Sequence, residues 1–376
     1  MSSKEGPKPR TAGTRIIVLL LLAVLTLVII MNAESIRSSA FVASILGNEV
    51  EGEPTTSYSL TPDSSNMFVV YNDGLSVLGS AGLTVFDKTG NESIDLAASF
   101  SKPVVKVAGK YLIGYDVGGS RFLYVKDSKL VQNVMTDSPV LTAEVNARGW
   151  TLVVSEKLGS KATCLIYNDD RNLVYEWISS ERYITCSALS DDCKTAVIGG
   201  LQQKEAGLVS ALKFISFDSE TPYAIVEFND VIILDVEFLN DGSIAVLTED
   251  SVTVFNDDGT ERGSFSFESD QLLDYDIDGE DFLLLRLARG SSDEISDVHV
   301  LNHECKIEQS ISYPNIMAID AEENYFGILT SNMVVVYNSN LEKQFTTGIL
   351  TGNKGLLIDE GGAAYVLSTV EATIYR

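Results

Sequence analysis

Short apolar runs separated by polar turns occupy the chain from Ser57 to its C-terminal end. The runs are rich in Val, Ile, Leu, Tyr and Phe, while Asp, Asn, Gly and Ser fill the gaps between them. No apolar stripe of helical period accompanies them over a long segment. Because such runs are typical of β-strands joined by tight turns, the pattern predicts an all-β fold.

One strand ending recurs along this region, in which apolar residues meet a polar turn residue. The endings are Val85-Phe86-Asp87, Tyr124-Val125-Lys126, Ile166-Tyr167-Asn168, Ser216-Phe217-Asp218, Val254-Phe255-Asn256, Val300-Leu301-Asn302, Val336-Tyr337-Asn338 and Ile374-Tyr375-Arg376. Their spacing averages about 41 residues, which is the period of the four-stranded blades of a β-propeller. The repeat therefore predicts a propeller.

The unit that begins at Val231 shows how a blade is built. Its predicted strands are Leu234–Phe238, Ser243–Thr248, Ser251–Asn256 and Gly263–Phe267, with tight turns at Asn240-Asp241-Gly242 and Asp257-Asp258-Gly259. Inner strands of a blade are covered on both faces by neighbouring blades, so they are expected to be continuously apolar. The runs Phe282–Leu285 and Met67–Val70 have this character.

The last unit, Asn353 to Arg376, has room for only three strands. A propeller closes when one chain end completes the blade that the other end begins, because closure removes an exposed sheet edge. Thr55–Leu60 is placed to supply the fourth strand, which makes eight blades. Seven blades, or two stacked β-sandwiches, are the alternatives.

An apolar segment from Ile16 to Met31 precedes the repeats. Lys4, Lys8, Arg10 and Arg15 stand before it, against the single acid Glu5. This asymmetry predicts a single-pass signal anchor at residues 16–33, a cytoplasmic stub at 1–15, a juxtamembrane linker at 34–54 and an extracytoplasmic propeller at 55–376. A cleaved signal peptide, or a buried apolar helix of a cytoplasmic protein, are the alternatives.

The chain is strongly acidic, with 53 Asp and Glu against 27 Lys and Arg among 376 residues. Such a field repels nucleic acid, which we therefore exclude as a partner. The four cysteines are too few for a disulfide-dependent scaffold. We expect most of them to be free, buried thiols, with Cys193 paired across its turn with Ser190 and not with Cys186.

The turn segments Leu189–Val197 and Asn240–Val246 resemble the turn between the first two strands of WD-repeat and pyrroloquinoline-quinone-like (PQQ-like) propeller blades. With its basic stub, anchor and degenerate blades, the whole chain also resembles an uncharacterised family of membrane-anchored propellers of Gram-positive bacteria. The resemblance implies a propeller over residues 57 to 376. The chain lacks the Trp-Asp blade ending, and Trp150 and Trp177 are its only tryptophans. It therefore departs from the tryptophan-docking pattern of quinoprotein enzymes.

Two groups of side chains could hold a metal ion. Asp274, Asp276 and Asp278, followed by Gly279, match the start of an oxygen-ligand calcium loop, although position twelve would be Leu285 and not Glu. An ordinary strand followed by a turn is the alternative. His299, His303 and Cys305 are spaced to share one face of a strand, which zinc could use, or they are a coincidental surface group. No cofactor other than calcium is predicted.

Neither a nucleophile elbow, a P-loop, a dinucleotide fingerprint nor a Cys-x-x-Cys pair is present, so no catalytic residue is predicted. Long connections between second and third strands are predicted at Glu156–Lys161, Gly200–Leu208 and Ala288–Asp297, all on one face. Insertions on one face typically mark a binding surface, which here offers Gln202, Gln203, Lys204 and Arg289.

These patterns together predict a membrane-tethered extracytoplasmic scaffold that binds another envelope protein or an extracellular ligand. The alternative is an envelope polysaccharide hydrolase or lyase that uses carboxylates lining the central channel, such as Asp235.

Overall fold

The computed structural model describes residues 50–205, 207–277, 282–288 and 295–376, which form an eight-bladed β-propeller. Each blade is a four-stranded antiparallel sheet. The all-β prediction is confirmed, and so is the count of eight blades over seven. The predicted stub and anchor lie outside the described residues. Within the described ranges, no helix is long and apolar enough to cross a membrane.

The strands follow the chain with regular spacing. Strand β1 (Pro54–Ser59) comes first and belongs to the last blade. Blade 1 contains β2 (Met67–Tyr71), β3 (Gly74–Gly79), β4 (Gly82–Phe86) and β5 (Glu92–Ala97); blade 2 contains β6 (Pro103–Ala108), β7 (Tyr111–Asp116), β8 (Arg121–Lys126) and β9 (Lys129–Met135). Blade 3 contains β10 (Val140–Val145), β11 (Thr151–Ser155), β12 (Ala162–Tyr167) and β13 (Leu173–Ser179); blade 4 contains β14 (Tyr183–Leu189), β15 (Thr195–Lys204), β16 (Gly207–Ser216) and β17 (Ala224–Asn229).

The second half repeats the same arrangement. Blade 5 contains β18 (Ile233–Phe238), β19 (Ile244–Thr248), β20 (Ser251–Phe255) and β21 (Glu261–Ser266); blade 6 contains β22 (Gln271–Asp276), β23 (Leu283–Ala288), β24 (Ile295–Leu301) and β25 (Ile307–Pro314). Blade 7 contains β26 (Ile316–Glu322), β27 (Tyr325–Thr330), β28 (Met333–Asn338) and β29 (Lys343–Gly348); blade 8 contains β30 (Gly355–Ile358), β31 (Ala364–Leu367), β32 (Glu371–Tyr375) and β1.

Blade 8 closes the ring by joining the two ends of the propeller. Strand β1 pairs antiparallel with β32, with Tyr58 opposite Ala372. The backbone amides of Glu53 and Arg376 each donate to the other residue's carbonyl, at 2.9 and 3.1 Å. The predicted closing strand Thr55–Leu60 is thereby confirmed, displaced by one residue.

The core lies between neighbouring blades. Every residue of the second strands β3, β11 and β19 is buried, as their continuously apolar pattern predicts. Phe282 of blade 6, for example, packs against Phe326 of blade 7 with ring centroids 5.3 Å apart. Full burial of one such side chain stabilises the fold by roughly 1.5–3 kcal/mol.

The propeller has two faces, which its connections define. We call one the terminus face, because it carries Glu53 and Arg376 together with the turns between first and second strands and between third and fourth strands. We call the other the hairpin face, because it carries the connections between second and third strands and those between blades. On the terminus face, Cys193 adopts a φ of +62° in a turn where blade 5 has Gly242 at +80°. Its amide bonds to the carbonyl of Ser190, as predicted.

Candidate functional site

The largest projection on the hairpin face belongs to blade 4. Strands β15 and β16 have ten residues each and stay paired as far as Lys204 and Gly207. Gln202, Gln203 and Lys204 therefore lie on a paired hairpin, and most of the long connection that was predicted over Gly200–Leu208 consists of strand residues. The ladder continues through Gly199 and Gly200, which pair with Leu212 and Ala211 of β16.

Gly207 shapes the end of this hairpin. Its φ of +144° lies in a region that L side chains rarely adopt. A Cβ at this position would also lie 2.4 Å from Oδ1 of Asp230, whose carboxylate accepts a hydrogen bond from the amide of Leu208. The start of β16 is consequently held against the connection between blades 4 and 5.

The predicted connection Glu156–Lys161 lies beside the base of the hairpin. It joins β11 to β12 and leaves the side chain of Leu158 fully exposed. Nζ of Lys161 lies 4.2 Å from the ring centroid of Tyr183 and 2.8 Å from its hydroxyl oxygen. Tyr183 in turn pairs with Leu201 of the hairpin, so the fold brings two of the three predicted connections together. Arg289 lies outside the described residues.

Two basic side chains pair with one carboxylate at the base of the hairpin. Glu227 on β17 pairs with the guanidinium of Arg182 and, at 3.4 Å, with Nζ of Lys204. Lys213 on β16 lies with its Nζ 4.9 Å from the ring centroid of Trp177 on blade 3. Burial lowers the pKa of Lys213, and the nearby charge of Arg182 lowers it further.

The sequence reasoning found Lys204 but missed Arg182 and Lys213. Arg182 comes from the connection between blades 3 and 4, and Lys213 comes from the middle of a third strand. One signal was present in the sequence, since Lys213 interrupts an otherwise buried run between Leu212 and Phe214. The sequence did not predict that Lys213 contacts Trp177 of the neighbouring blade.

A second candidate site is the central channel, a cavity of about 1230 Å³ that opens on the terminus face. Two basic residues line it, Lys106 and Arg376. The carboxylates that line it are Asp73, Glu144, Glu237, Asp276, Asp320, Glu322, Glu323, Asp359 and Glu360. The channel is therefore strongly acidic.

Lys106 and Glu144 form an ion pair in the channel wall, with Nζ and Oε2 2.5 Å apart. Burial disfavours the charged amine, but the Glu144 carboxylate outweighs this and raises the pKa of Lys106 well above its ordinary value. Burial also raises the pKa of Glu144, and the charge of Lys106 opposes that rise. Glu144 additionally accepts a hydrogen bond from the Ser187 hydroxyl of the next blade.

Carboxylates on the innermost strands also join neighbouring blades, in the same direction around the ring. Oδ2 of Asp274 accepts from the amide of Ile319 at 3.1 Å, and Oδ2 of Asp276 accepts from the amide of Ala321 at 2.7 Å. Oδ2 of Asp320 accepts from the amide of Ile358 at 2.6 Å. Each bond satisfies a backbone donor of the next innermost strand, which gives these acids a structural role in holding the blades together.

Removing one such acceptor is expected to destabilise the ring. In Asp320→Ala the amide of Ile358 loses its partner, so the free energy of unfolding should fall by about 1–3 kcal/mol. Asp320→Asn keeps a side-chain oxygen acceptor and should cost less. Urea denaturation of the two variants tests this, and equal losses in both would contradict it.

A model of one protein family matches residues 51–373. The chain belongs to the family of unknown function DUF5711. A comparison with curated protein sequences finds no match for this DUF5711 protein.

Solved propellers share the fold of the DUF5711 chain at low sequence identity. BamB from Moraxella catarrhalis is 13% identical with a TM-score of 0.52, over 86% of this chain and 99% of that one. The C-terminal WD40 domain of Sif2 is 12% identical with a TM-score of 0.57, over 87% and 97% of the two chains. The β-propeller domain of Cps50 (Swd1) from Myceliophteria thermophila is 9% identical with a TM-score of 0.52, over 86% and 99%. The resemblance to WD-repeat propellers is thus confirmed for the fold.

The predicted calcium ligands of the DUF5711 chain are only partly described. Asp274 and Asp276 lie on β22 with the backbone partners given above, while Asp278 lies outside the described residues. Among the residues that the structure describes, no group of three or more His, Cys, Asp or Glu side chains is arranged to hold a metal ion. The calcium site stays a prediction.

The predicted zinc ligands have separate protein partners. Nδ1 of His299 lies 2.8 Å from the hydroxyl of Ser310. Nδ1 of His303 lies 3.8 Å from a carboxylate oxygen of Asp241, and the Cys305 thiol bonds to the carbonyl of Gly263. All four cysteines of the DUF5711 chain are free thiols, and Cys193 is the one that is partly exposed.

Proposed function

We propose that this DUF5711 protein is a membrane-tethered, extracytoplasmic scaffold of the cell envelope that binds another protein through its hairpin face. The observation that carries the proposal is the β15–β16 hairpin, which stays paired well beyond the height of the blade core. Its residues Gln203 and Lys204 are exposed. A paired hairpin holds such side chains in fixed positions, and fixed positions reduce the entropy that binding must remove.

The distribution of exposed apolar side chains supports this surface. Among the described residues, most of the large exposed hydrophobic side chains lie on blades 2 to 4, and blade 4 carries the hairpin. Examples are Val131, Met135, Leu158, Ile178, Tyr183 and Ile225. Clustered apolar and aromatic side chains with polar neighbours are typical of protein-binding surfaces.

The direction in which the chain enters the propeller supports the same choice of face. Glu53, which pairs with Arg376, lies on the terminus face, and the hairpin rises on the opposite face. An anchor at residues 16–33 and a linker that ends at Pro54 would therefore tether the propeller from its terminus face. The hairpin face would then point away from the membrane, where a tethered partner meets it at high effective concentration.

Site-specific crosslinking in cells tests the proposal. A photoreactive residue at Gln203, on the hairpin, is expected to capture a defined protein partner from the full-length chain. The matched control is a photoreactive residue at Lys88, an exposed position on the terminus face, which should not capture that partner. Capture by Lys88 and not by Gln203 would contradict the choice of face, and the absence of any specific adduct at either position would contradict the scaffold function.

A further inference from the structure

Strand β9 is the outermost strand of blade 2 and has an open edge. It lies at one side of its sheet, so the backbone groups that point away from β8 pair with no strand of the described residues. No residue of β9 is buried, and Gln132 is the one that is partly covered. The exposed apolar side chains of the strand are Leu130, Val131, Val134 and Met135. An exposed apolar edge of this kind readily pairs with an added strand.

Proteins usually protect an outer strand with charges, and β9 lacks this protection. Lys129 is its single charged residue, and no proline interrupts it. Five of the other outer strands carry an acid: Glu92 and Asp95 in β5, Glu176 in β13, Glu227 in β17, Glu261 in β21 and Glu308 in β25. The remaining two differ as well, because β1 begins with Pro54 and β29 is already covered.

A β-bulge near the start of the outer strands allows one position to be compared between blades. The bulged residue is Val131 in β9 and Val174 in β13, but Glu308 in β25. The same position holds Ser93 in β5, Arg262 in β21, Gln344 in β29 and Thr55 in β1. A polar side chain is therefore common at the bulge, and valine occurs there in blades 2 and 3.

Blade 7 shows how an outer edge is covered in this molecule. Residues 50–52 lie along β29: the amide of Thr346 donates to the carbonyl of Val50 at 2.9 Å, and the amide of Gly52 donates to the carbonyl of Thr346 at 3.4 Å. Val50 packs against the core between blades 7 and 8. The covering segment has the sequence Val50-Glu51-Gly52-Glu53, and the one charged residue of β29 is Lys343. An apolar and acidic segment thus covers a strand whose charge pattern matches that of β9.

Blade 2 is basic in a strongly acidic chain. Between residues 101 and 138 the basic residues are Lys102, Lys106, Lys110, Arg121, Lys126 and Lys129, and the acidic ones are Asp116, Asp127 and Asp137. Arg121 donates to the side chain of Asn133 on β9 at 2.8 Å. Among the described residues, no carboxylate forms an ion pair with Arg121, Lys126 or Lys129. An acidic segment would therefore meet an excess of positive charge beside β9, although Asp127 and Asp137 flank the strand.

We propose that β9 is a strand-addition site, at which an extended apolar and acidic segment of another protein pairs with the outer edge of blade 2. Main-chain hydrogen bonds hold the segment, its apolar side chains cover those of β9, and its carboxylates lie near Lys126 and Lys129. The site lies on the wall of the propeller, apart from the hairpin tip. It adds a second protein contact to the proposed scaffold.

Isothermal titration of the full-length chain in nanodiscs of zwitterionic lipid, with a heptapeptide of alternating Val and Glu, tests the site. Val131→Glu should weaken binding about tenfold, because it removes an apolar contact and places a negative charge beside the peptide's glutamates. The variant should fold, since Glu308 occupies the same bulge position in blade 6. Val174→Glu is the matched control on β13 and should leave binding unchanged; Val131 is 50% exposed and Val174 is 44% exposed.

Two N-methylated forms of the heptapeptide distinguish strand addition from contact through side chains alone. Successive amides of a strand point to opposite edges, so only alternate amides of the peptide can pair with β9. Methylation of one alternate set is expected to abolish binding, and methylation of the other set should leave it nearly unchanged. Equal binding of the two forms would overturn the proposal.

Three further results would also overturn it. They are the absence of peptide binding, equal losses in Val131→Glu and Val174→Glu, and a dimer of the full-length chain in detergent that Val131→Glu dissociates, since this would assign β9 to a second copy. The proposed function fails in a different way. If Gln203 captures a partner in cells while the heptapeptide does not bind, the scaffold stands and the strand-addition site is wrong; if the heptapeptide binds but no partner is captured, the reverse holds.

Discussion

Replacing Lys106 by methionine is expected to lower the free energy of unfolding by about 2–4 kcal/mol at neutral pH, because it leaves the Glu144 carboxylate buried without its partner. The side chain of Glu144 is only 9% exposed. Breaking a fully buried pair costs more, about 3–5 kcal/mol, but the side chain of Lys106 is 32% exposed and part of its charge is already solvated. Urea denaturation of the single variant gives the value.

The pH dependence of this loss identifies its cause. Without Lys106, burial raises the folded-state pKa of Glu144 above its ordinary value of 4.5, so the folded state holds the proton more tightly than the unfolded state does. The variant should be most stable at acidic pH and lose stability as the pH rises through the folded-state pKa. The double variant Lys106→Met/Glu144→Gln, which buries no charge, should recover most of the loss at neutral pH. If Lys106→Met lowers the free energy of unfolding equally at pH 5 and pH 8, the lost ion pair is not the cause of the destabilisation.

The second large effect concerns ring closure at blade 8. Tyr58→Ala is expected to destabilise the propeller by about 3–5 kcal/mol, the range for removing a large buried aromatic ring. The Tyr58 ring is buried between Phe86 of blade 1 and Tyr365 of blade 8, with centroid distances of 5.5 and 6.4 Å. Its removal opens a cavity where the closing strand meets the first blade. Chemical denaturation of the full-length chain measures the change.

Tyr58→Phe is the matched control for this prediction. The Tyr58 hydroxyl is buried and has no hydrogen-bond partner within the described residues. Removing it relieves an unsatisfied polar group, so Tyr58→Phe should leave stability unchanged or raise it slightly. If Tyr58→Phe and Tyr58→Ala lower the free energy of unfolding by similar amounts, the hydroxyl of Tyr58, and not the packing of its aromatic ring, stabilises blade 8.

The fold was largely predictable from the sequence because neighbouring residues in the chain determine the strands and turns of each blade. In blade 5 the turn Asn240-Asp241-Gly242 is recognisable from its residues alone, since Gly242 takes a positive φ and the Asp241 carboxylate accepts from the amide of Ser243. The closing strand was predictable by subtraction, because the last repeat lacks a strand. The length of the β15–β16 hairpin was not, because paired and unpaired residues can have the same composition.

The candidate site was predictable only in part. Gln202, Gln203 and Lys204 stood out because they form a polar run between the apolar runs of the second and third strands. Arg182 and Lys213 did not stand out together, since 31 positions separate them in the chain. Their proximity arises where two blades meet.

The sequence by itself determined the all-β class, the eight repeats, the closing strand and the acidic character of the chain, because these follow from local patterns and from composition. The tertiary structure alone decided that channel acids such as Asp276 and Asp320 accept hydrogen bonds from backbone amides of the next blade, and that Arg182 and Lys204 both pair with Glu227. The physical reason is that hydrogen bonds and charge pairs depend on distances between blades, which the local pattern of one blade does not contain.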